Sequence, residues 1–443
     1  MSLGIHILGP GFGESVVIEC PDGSVGVVDV FADSRGACPV LNFLRSRQVE
    51  SLAFLAVTHP HADHCTGMDA LLKAIPVERF WLFDTFQDIK LGQFLEALYI
   101  KDSLDLVEQA LELKPGAVFS QLHVLGRYAR EAREQGRRQR NKAYDKFKYL
   151  RGSTNKFSHG DGLTIQFLTP QDKALSDYRD ILEDSAKNYI ADASGRLISF
   201  NPEWKPPHLK HNLISGSILL EYGKTRILLM GDAEKTLWQE FLGTGGTIPP
   251  VQLIKVAHHG SPNGYLSDLY ETMCAAGEPI AVITPFDRHR FPLPTQDGIA
   301  GLKTHTSEIF CTNRSAAENS SKLTWEQTAK PFDELRQGEG LALEDLDLLR
   351  REFHPEWLRY TTLAGLDLSV SPDEALPSDF VALLTRAPSL LGILHPTFRN
   401  RHVAGSRPSL ADEFRVSFYF DEDGKEDLAK RYLGRGTGKL QAR

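Results

Sequence analysis

Four residues within six positions, His59, His61, Asp63 and His64, are of types that ligate cations. Two histidines one residue apart on a loop can face one cation, and the Asp-His pair just beyond can face a second. Imidazole nitrogen and carboxylate oxygen suit Zn²⁺ and, with more oxygen, Mn²⁺ or Fe²⁺. Two cations about 3.5 to 4 Å apart clamp the attacking and leaving oxygens and supply hydroxide at neutral pH. The corresponding chemistry is hydrolysis of an ester, amide, lactone or phosphodiester, and residue types alone do not choose among these.

The motif starts directly after an apolar run, Leu52 to Val57, which is apolar on both alternating faces as a fully buried strand is. The ligands therefore sit on a strand-end loop. Upstream, Ser15 to Glu19 and Val25 to Asp29 read as strands and Pro39 to Arg47 as a helix; Gly67 to Ala74 resumes a helical pattern. Further strands are expected at Leu163 to Leu168, Leu213 to Tyr222, Arg226 to Met230, Val251 to Val256 and Ile280 to Thr284, with helices at Ala233 to Leu242 and Tyr265 to Ala276. This order predicts a layered α/β domain over residues 1–314.

Two regions depart from it. Residues 87–155 read as a helical insert whose segment Arg127 to Arg151 carries ten Lys or Arg against three acidic residues, with Tyr128, Tyr144, Phe147 and Tyr149 interleaved. It reads first as a solvated helix face and second as a phosphate-binding wall. Residues 315–443 are expected to form a mainly helical C-terminal extension with a strand at Phe414 to Phe420, able to contact a protein partner.

With 41% hydrophobic and 24% charged residues over 443 positions, the composition is that of a globular protein. A net charge of −8 excludes a surface that is everywhere a trap for nucleic acid, though not a local basic patch. Five scattered cysteines without CxxC spacing do not make a disulfide framework. No stretch reaches the roughly 18 apolar residues of a membrane span, so no membrane is expected and a cytoplasmic location is.

The run Thr58-His59-Pro60-His61-Ala62-Asp63-His64 resembles the signature of the metallo-β-lactamase superfamily. The resemblance implies a four-layer αββα fold and two divalent metal ions, Zn or Mn. Met230-Gly231-Asp232 and Val256-Ala257-His258-His259-Gly260-Ser261 resemble, more narrowly, the metallo-β-lactamase domain of the DNA-uptake protein ComEC and related phosphodiesterases. By that resemblance His59 and His61 bind one metal, Asp63 and His64 the other, and Asp232 both. Asp63 would also orient or deprotonate water. Of the adjacent pair, His259 is taken as ligand and His258 as the contact to the substrate oxyanion, with the reverse left open. The third histidine of the first site is His211, with Asn212 and His159 as alternatives. Arg288 and Arg290 would hold an anionic substrate, although Leu293 stands where the family often has histidine. An Asp rather than a Cys at the bridging position points away from β-lactams and toward a phosphodiester or nucleic-acid substrate. The competing expectations are a small-ester or phosphorylcholine hydrolase, and an effector or scaffold subunit of a multi-protein, even anti-phage, assembly.

Overall fold

The computed structural model describes residues 2–33, 37–83, 147–152, 156–187, 189–191, 197–200, 211–286, 292–320 and 410–440. The N-terminal strands β1 (Leu3–Leu8), β2 (Ser15–Glu19) and β3 (Val25–Val28) pair as an antiparallel meander. Alternation divides their side chains: Leu3, Ile5 and Ile7 face one way, while His6 packs on Phe43 of helix α1 (Pro39–Ser46) on the other. Helix α1 begins on Pro39, whose fixed φ suits a first helical turn. Strands β4 (Phe54–Ala56), β5 (Phe80–Phe83) and β6 (Phe147–Leu150) then add in parallel. The short helix α2 (Ala62–Cys65) and helix α3 (Met68–Ala74) lie between β4 and β5.

The second sheet is built from β7 (Lys156–His159) and β8 (Leu163–Thr169), then, after helix α4 (Asp172–Lys187) and the separate hairpin β9 (Tyr189–Ala191) and β10 (Leu197–Phe200), from β11 (Ser217–Tyr222) and β12 (Thr225–Leu229). Helices α5 (Lys235–Gly243), α6 (Ser267–Met273) and α7 (Gln296–Lys303) alternate with parallel strands β13 (Leu253–Lys255), β14 (Ile280–Ile283) and β15 (Ile309–Cys311). In β11, Ile218, Leu220 and Tyr222 point between the sheets and Leu219 points to the helices. The inter-sheet core joins these to Ile5, Ile18, Phe54 and Trp81 of the first sheet. Outer cores form under α1 and α3 on one side and under α5, α6 and α7 on the other. The expected four-layer αββα arrangement follows. Among the described residues, no helix is long and apolar enough to cross a membrane.

Two boundaries are corrected. The helical reading of Arg127 to Arg151 fails at its end, because Phe147–Leu150 form β6 in register with Phe80–Phe83. Pairing to an open sheet edge outweighs local pattern there; residues 84–146 lie outside the described residues. Nor does the domain end at residue 314. Strand β16 (Arg415–Phe420) lies antiparallel to β1, followed by β17 (Tyr432–Leu433), and β18 (Gly438–Lys439) caps β15. Val416, Phe418 and Phe420 are buried in the inter-sheet core, so the strand expected at Phe414 to Phe420 completes the domain instead of decorating it.

Candidate metal centre

The parallel strands β3, β4, β12, β13 and β14 present their carboxyl ends at one rim, where ligands bind in open α/β sheets. Asp29 follows β3, His59 to His64 follow β4, Asp232 follows β12, His258 and His259 follow β13, and Thr284 follows β14. Gly231 takes φ +54, and a Cβ there would lie 2.7 Å from Ser215 Oγ, the atom that accepts from the Asp232 amide. His258 (φ 46), His259 (φ 53) and Gly260 (φ +80) are consecutive left-handed residues. The two histidines each store on the order of 1–3 kcal/mol of strain. That turn sends the neighbouring rings to different places.

Two donor groups share Asp232. One comprises His59, His61 and Asp232, and the other Glu14, His64, Asp232 and His259. His59 Nε2 lies 3.7 Å from Asp232 Oδ2; His64 Nε2 is 3.4 Å from Oδ1, and His259 Nε2 is 3.6 Å from Oδ2. Asp63 Oδ2 accepts from His259 Nε2 at 3.0 Å and stands 3.5 Å from His64 Nε2. His211 is buried, edge-on to His61 with centroids 5.1 Å apart, and its Nδ1 is 2.6 Å from Tyr178 Oη. The first group thus gathers His59, His61, His211 and Asp232.

The hydrogen bonds behind these rings fix which nitrogen faces inward. Thr58 Oγ1 donates to Asp29 Oδ2, so it can only accept from His59 Nδ1 at 2.9 Å, leaving His59 Nε2 bare. His64 Nδ1 donates to Asp29 Oδ2 at 2.7 Å, and His259 Nδ1 to the Thr284 carbonyl at 2.8 Å. Such outer partners hold a metal-binding imidazole in one tautomer and orientation. Glu14 sits behind both of the latter rings, 3.7 Å from His64 Nδ1 and 3.4 Å from His259 Nδ1. Its carboxylate takes hydrogen bonds from buried Lys255 and from Thr284.

Charge in the pocket is strongly redistributed. Burial alone would lower the His64 pKa, but Asp232, Asp63, Asp29 and Glu14 outweigh it and hold the ring well above its usual value. Burial likewise opposes a raised His259, and Asp232, Asp63 and Glu14 prevail. His59 and His61 are lowered, chiefly by burial. Asp63 and Asp232 are held below the carboxylate range against burial, by His64 and His259. Four carboxylates therefore draw positive charge inward.

The residues fit divalent cations. His64 Nε2 and Asp232 Oδ1 are buried without a hydrogen-bond partner and face each other, and His59 Nε2 lies 2.9 Å from His61 Nδ1, a spacing that needs a proton or a cation between. Donors are nitrogen and oxygen only; Cys65 Sγ donates to the His61 carbonyl instead.

His59, His61, Asp63, His64, His211, Asp232 and His259 are all brought together. His258 is at the rim, its Nδ1 3.4 Å from Glu234 and its Nε2 3.4 Å from Asn212 Nδ2. Burial lowers its pKa. Asn212 donates to Glu234, and His159 lies away from the centre, 2.8 Å from Ser24 Oγ, so neither alternative for the third histidine stands beside His61. Arg288 and Arg290 lie outside the described residues. Glu14, Asp29, Tyr178 and Lys255 were missed by sequence reasoning. Lys255 carried a usable signal, because a lysine inside the apolar strand Leu253–Lys255 requires a buried acid. Which acid is a tertiary matter.

Residues 8–81 match the family model described as the Metallo-beta-lactamase superfamily. The match spans the His59 to His64 motif. No curated protein matches the sequence. Three solved structures are similar in fold: hydrolase AbOPH of the beta lactamase superfamily (13% identity, 49% of this chain and 55% of that one, TM-score 0.25); Tm1679, a metal-dependent hydrolase of the beta-lactamase superfamily (11%, 69% and 94%, 0.33); and a diphosphatase from the PhnP family (10%, 64% and 87%, 0.29). The chain spans about half the length of the first of these.

Proposed function

We propose that this chain is a dinuclear phosphodiesterase whose substrate is a phosphodiester, nucleic acid included. His59, His61, His211 and Asp232 would hold one divalent cation and Asp63, His64, Asp232 and His259 the other, Zn²⁺ or Mn²⁺ by donor type. When bound, the pair supplies Lewis acidity and a nucleophilic water at neutral pH. The observation that carries the reading is Asp232, whose two oxygens face His59 and His259 on one side and His64 on the other.

The chain's own groups do the rest. Asp63, kept ionised by His64 and His259, is placed to accept a proton through its carboxylate. His258 stands at the rim between Glu234 and Asn212, with its side chain 19% exposed, where it can donate to an oxygen of the scissile phosphate. An Asp at the shared position and the His-His-Gly-Ser turn support phosphodiesters over β-lactams, as in the ComEC-like resemblance. Arg288 and Arg290 are assigned to substrate anions on sequence alone.

Purified protein with Mn²⁺ or Zn²⁺ is expected to cleave bis(p-nitrophenyl) phosphate, single-stranded DNA or RNA, and D63A to lose that activity while still binding metal. Metal-loaded protein inert toward all three substrates would defeat the reading, and turnover confined to small carboxylic esters would replace it.

A further inference from the structure

The geometry points to a second, chemically different cation site formed by Cys20, Asp22 and His159 at the end of the sandwich opposite the catalytic rim. Strand β2 runs from Glu14 at that rim to Cys20, and the five-residue strand separates the two clusters by about 17 Å at 3.3 Å per residue. The strands β7 and β8 place His159 at the same far end, since Thr169 at the other end of β8 pairs with Ser217 near the rim. One sheet thus supplies the sulfur and the carboxylate, and the other supplies the imidazole.

The approach is close and specifically permitted. Cys20 Sγ, a carboxylate oxygen of Asp22 and a ring nitrogen of His159 all lie within 4.8 Å of one another. A tight turn brings the first two together: the Cys20 amide donates to the Ser24 carbonyl at 2.8 Å, and Gly23 takes φ +84. His159 Nε2 is 3.7 Å from Asp22 Oδ2 and 2.8 Å from Ser24 Oγ, and the ring is braced edge-on against Phe54. A Cβ at Gly160 would meet Asp22 Oδ2 at 1.8 Å, so the carboxylate can reach the histidine only because residue 160 has no side chain.

Donor chemistry selects the ion. One thiolate, one imidazole and one carboxylate suit a borderline cation of the Zn²⁺ class, with Ser24 Oγ or water as a fourth ligand. Among the described residues no sulfur belongs to the rim donor groups, so the two places differ in softness. Cys20 is buried, with its sulfur 4.0 Å from the Ile18 carbonyl and in hydrogen-bond reach of the Ser24 side chain. Burial pushes its thiol up to about 12, so the proton leaves at neutral pH only when a cation takes its place. Binding breaks the S–H bond, forms a sulfur–metal bond and releases one proton to solvent. The cation would pin the β2–β3 turn to the β7–β8 turn and so staple the two sheets.

The full chain, stripped of metal by a chelator, is titrated with Co²⁺ while its near-ultraviolet absorption is followed. A thiolate-to-cobalt band is expected whose final intensity corresponds to one sulfur-bound Co²⁺ per chain, beside the cations taken by the rim, because Cys20 is the sole sulfur in any donor cluster of the described residues. The band is expected to vanish in C20S. H159Q, which keeps the thiol, should need at least about tenfold more Co²⁺ to develop the band. Cleavage of bis(p-nitrophenyl) phosphate by C20S should stay at the wild-type level, which separates this test from that of the catalytic reading. No band in the wild type, a band that survives in C20S, or a titration unmoved by H159Q would overturn the proposal and leave a cluster of hydrogen bonds only.

Discussion

The two donor groups that share Asp232 are built on different backing. Behind His59 and His211 stand neutral hydroxyls, those of Thr58 and Tyr178. Behind His64 and His259 stand the carboxylates of Asp29 and Glu14, the latter neutralised in part by buried Lys255. Burial lowers His59 and His61 in pKa and leaves them ready as neutral ligands, whereas the surrounding carboxylates raise His64 and His259, which hold protons that a cation must displace. A single constellation can therefore contain one site that loads with little regard to pH and one that loads in competition with protons.

The comparison is broken most completely by D232N. It should abolish the distinction by costing both cations, well beyond the 10- to 100-fold loss of affinity typical of an outer-partner change; metal content of the purified variant checks this. K255M is next. It leaves Glu14 as a buried, uncompensated charge, and about 3–5 kcal/mol of stability should be lost in denaturant titration. E14Q keeps the shape and removes the charge, so roughly 10- to 100-fold weaker binding of the second cation is expected, with the first unchanged in isothermal titration. Equal weakening of both would show that the backing is common to them.

The pH dependence sharpens the same contrast. Because the folded pKa values of His64 and His259 are raised, the stability they contribute is fully present below the usual histidine value and is lost as pH rises through the raised ones. Metal-free protein should thus melt at lower temperature as pH increases, while affinity at the second group grows by about tenfold per pH unit for each proton displaced. Binding through His59 and His61 should change little over that range, these rings being neutral already. Asp63 and Asp232 act only in acid: their depressed pKa values give stability above the usual carboxylate range that disappears as pH falls through the folded values. The smallest effect is reserved for Y178F, where loss of one hydrogen bond to His211 should weaken the first cation by roughly fivefold, about 1 kcal/mol.

The sequence by itself determined the chemistry of the motif and its position, because ligand types at His59 to His64 directly after a buried strand need no distant partner to be read. A layered α/β domain was legible in the order of strands and helices, and the four-layer αββα arrangement was what the family resemblance implied. Tertiary structure alone decided four things. It set the His211 ring edge-on to His61 while Asn212 donates to Glu234 and His159 lies beside Ser24. It supplied Glu14, 241 positions from the lysine that binds it. It turned Phe147–Leu150 from an expected helix into an edge strand. It also drew β16 and β18, from beyond residue 410, into the two sheets. Each of these depends on pairing between residues far apart in the chain, and such pairing leaves no local period or spacing in the sequence.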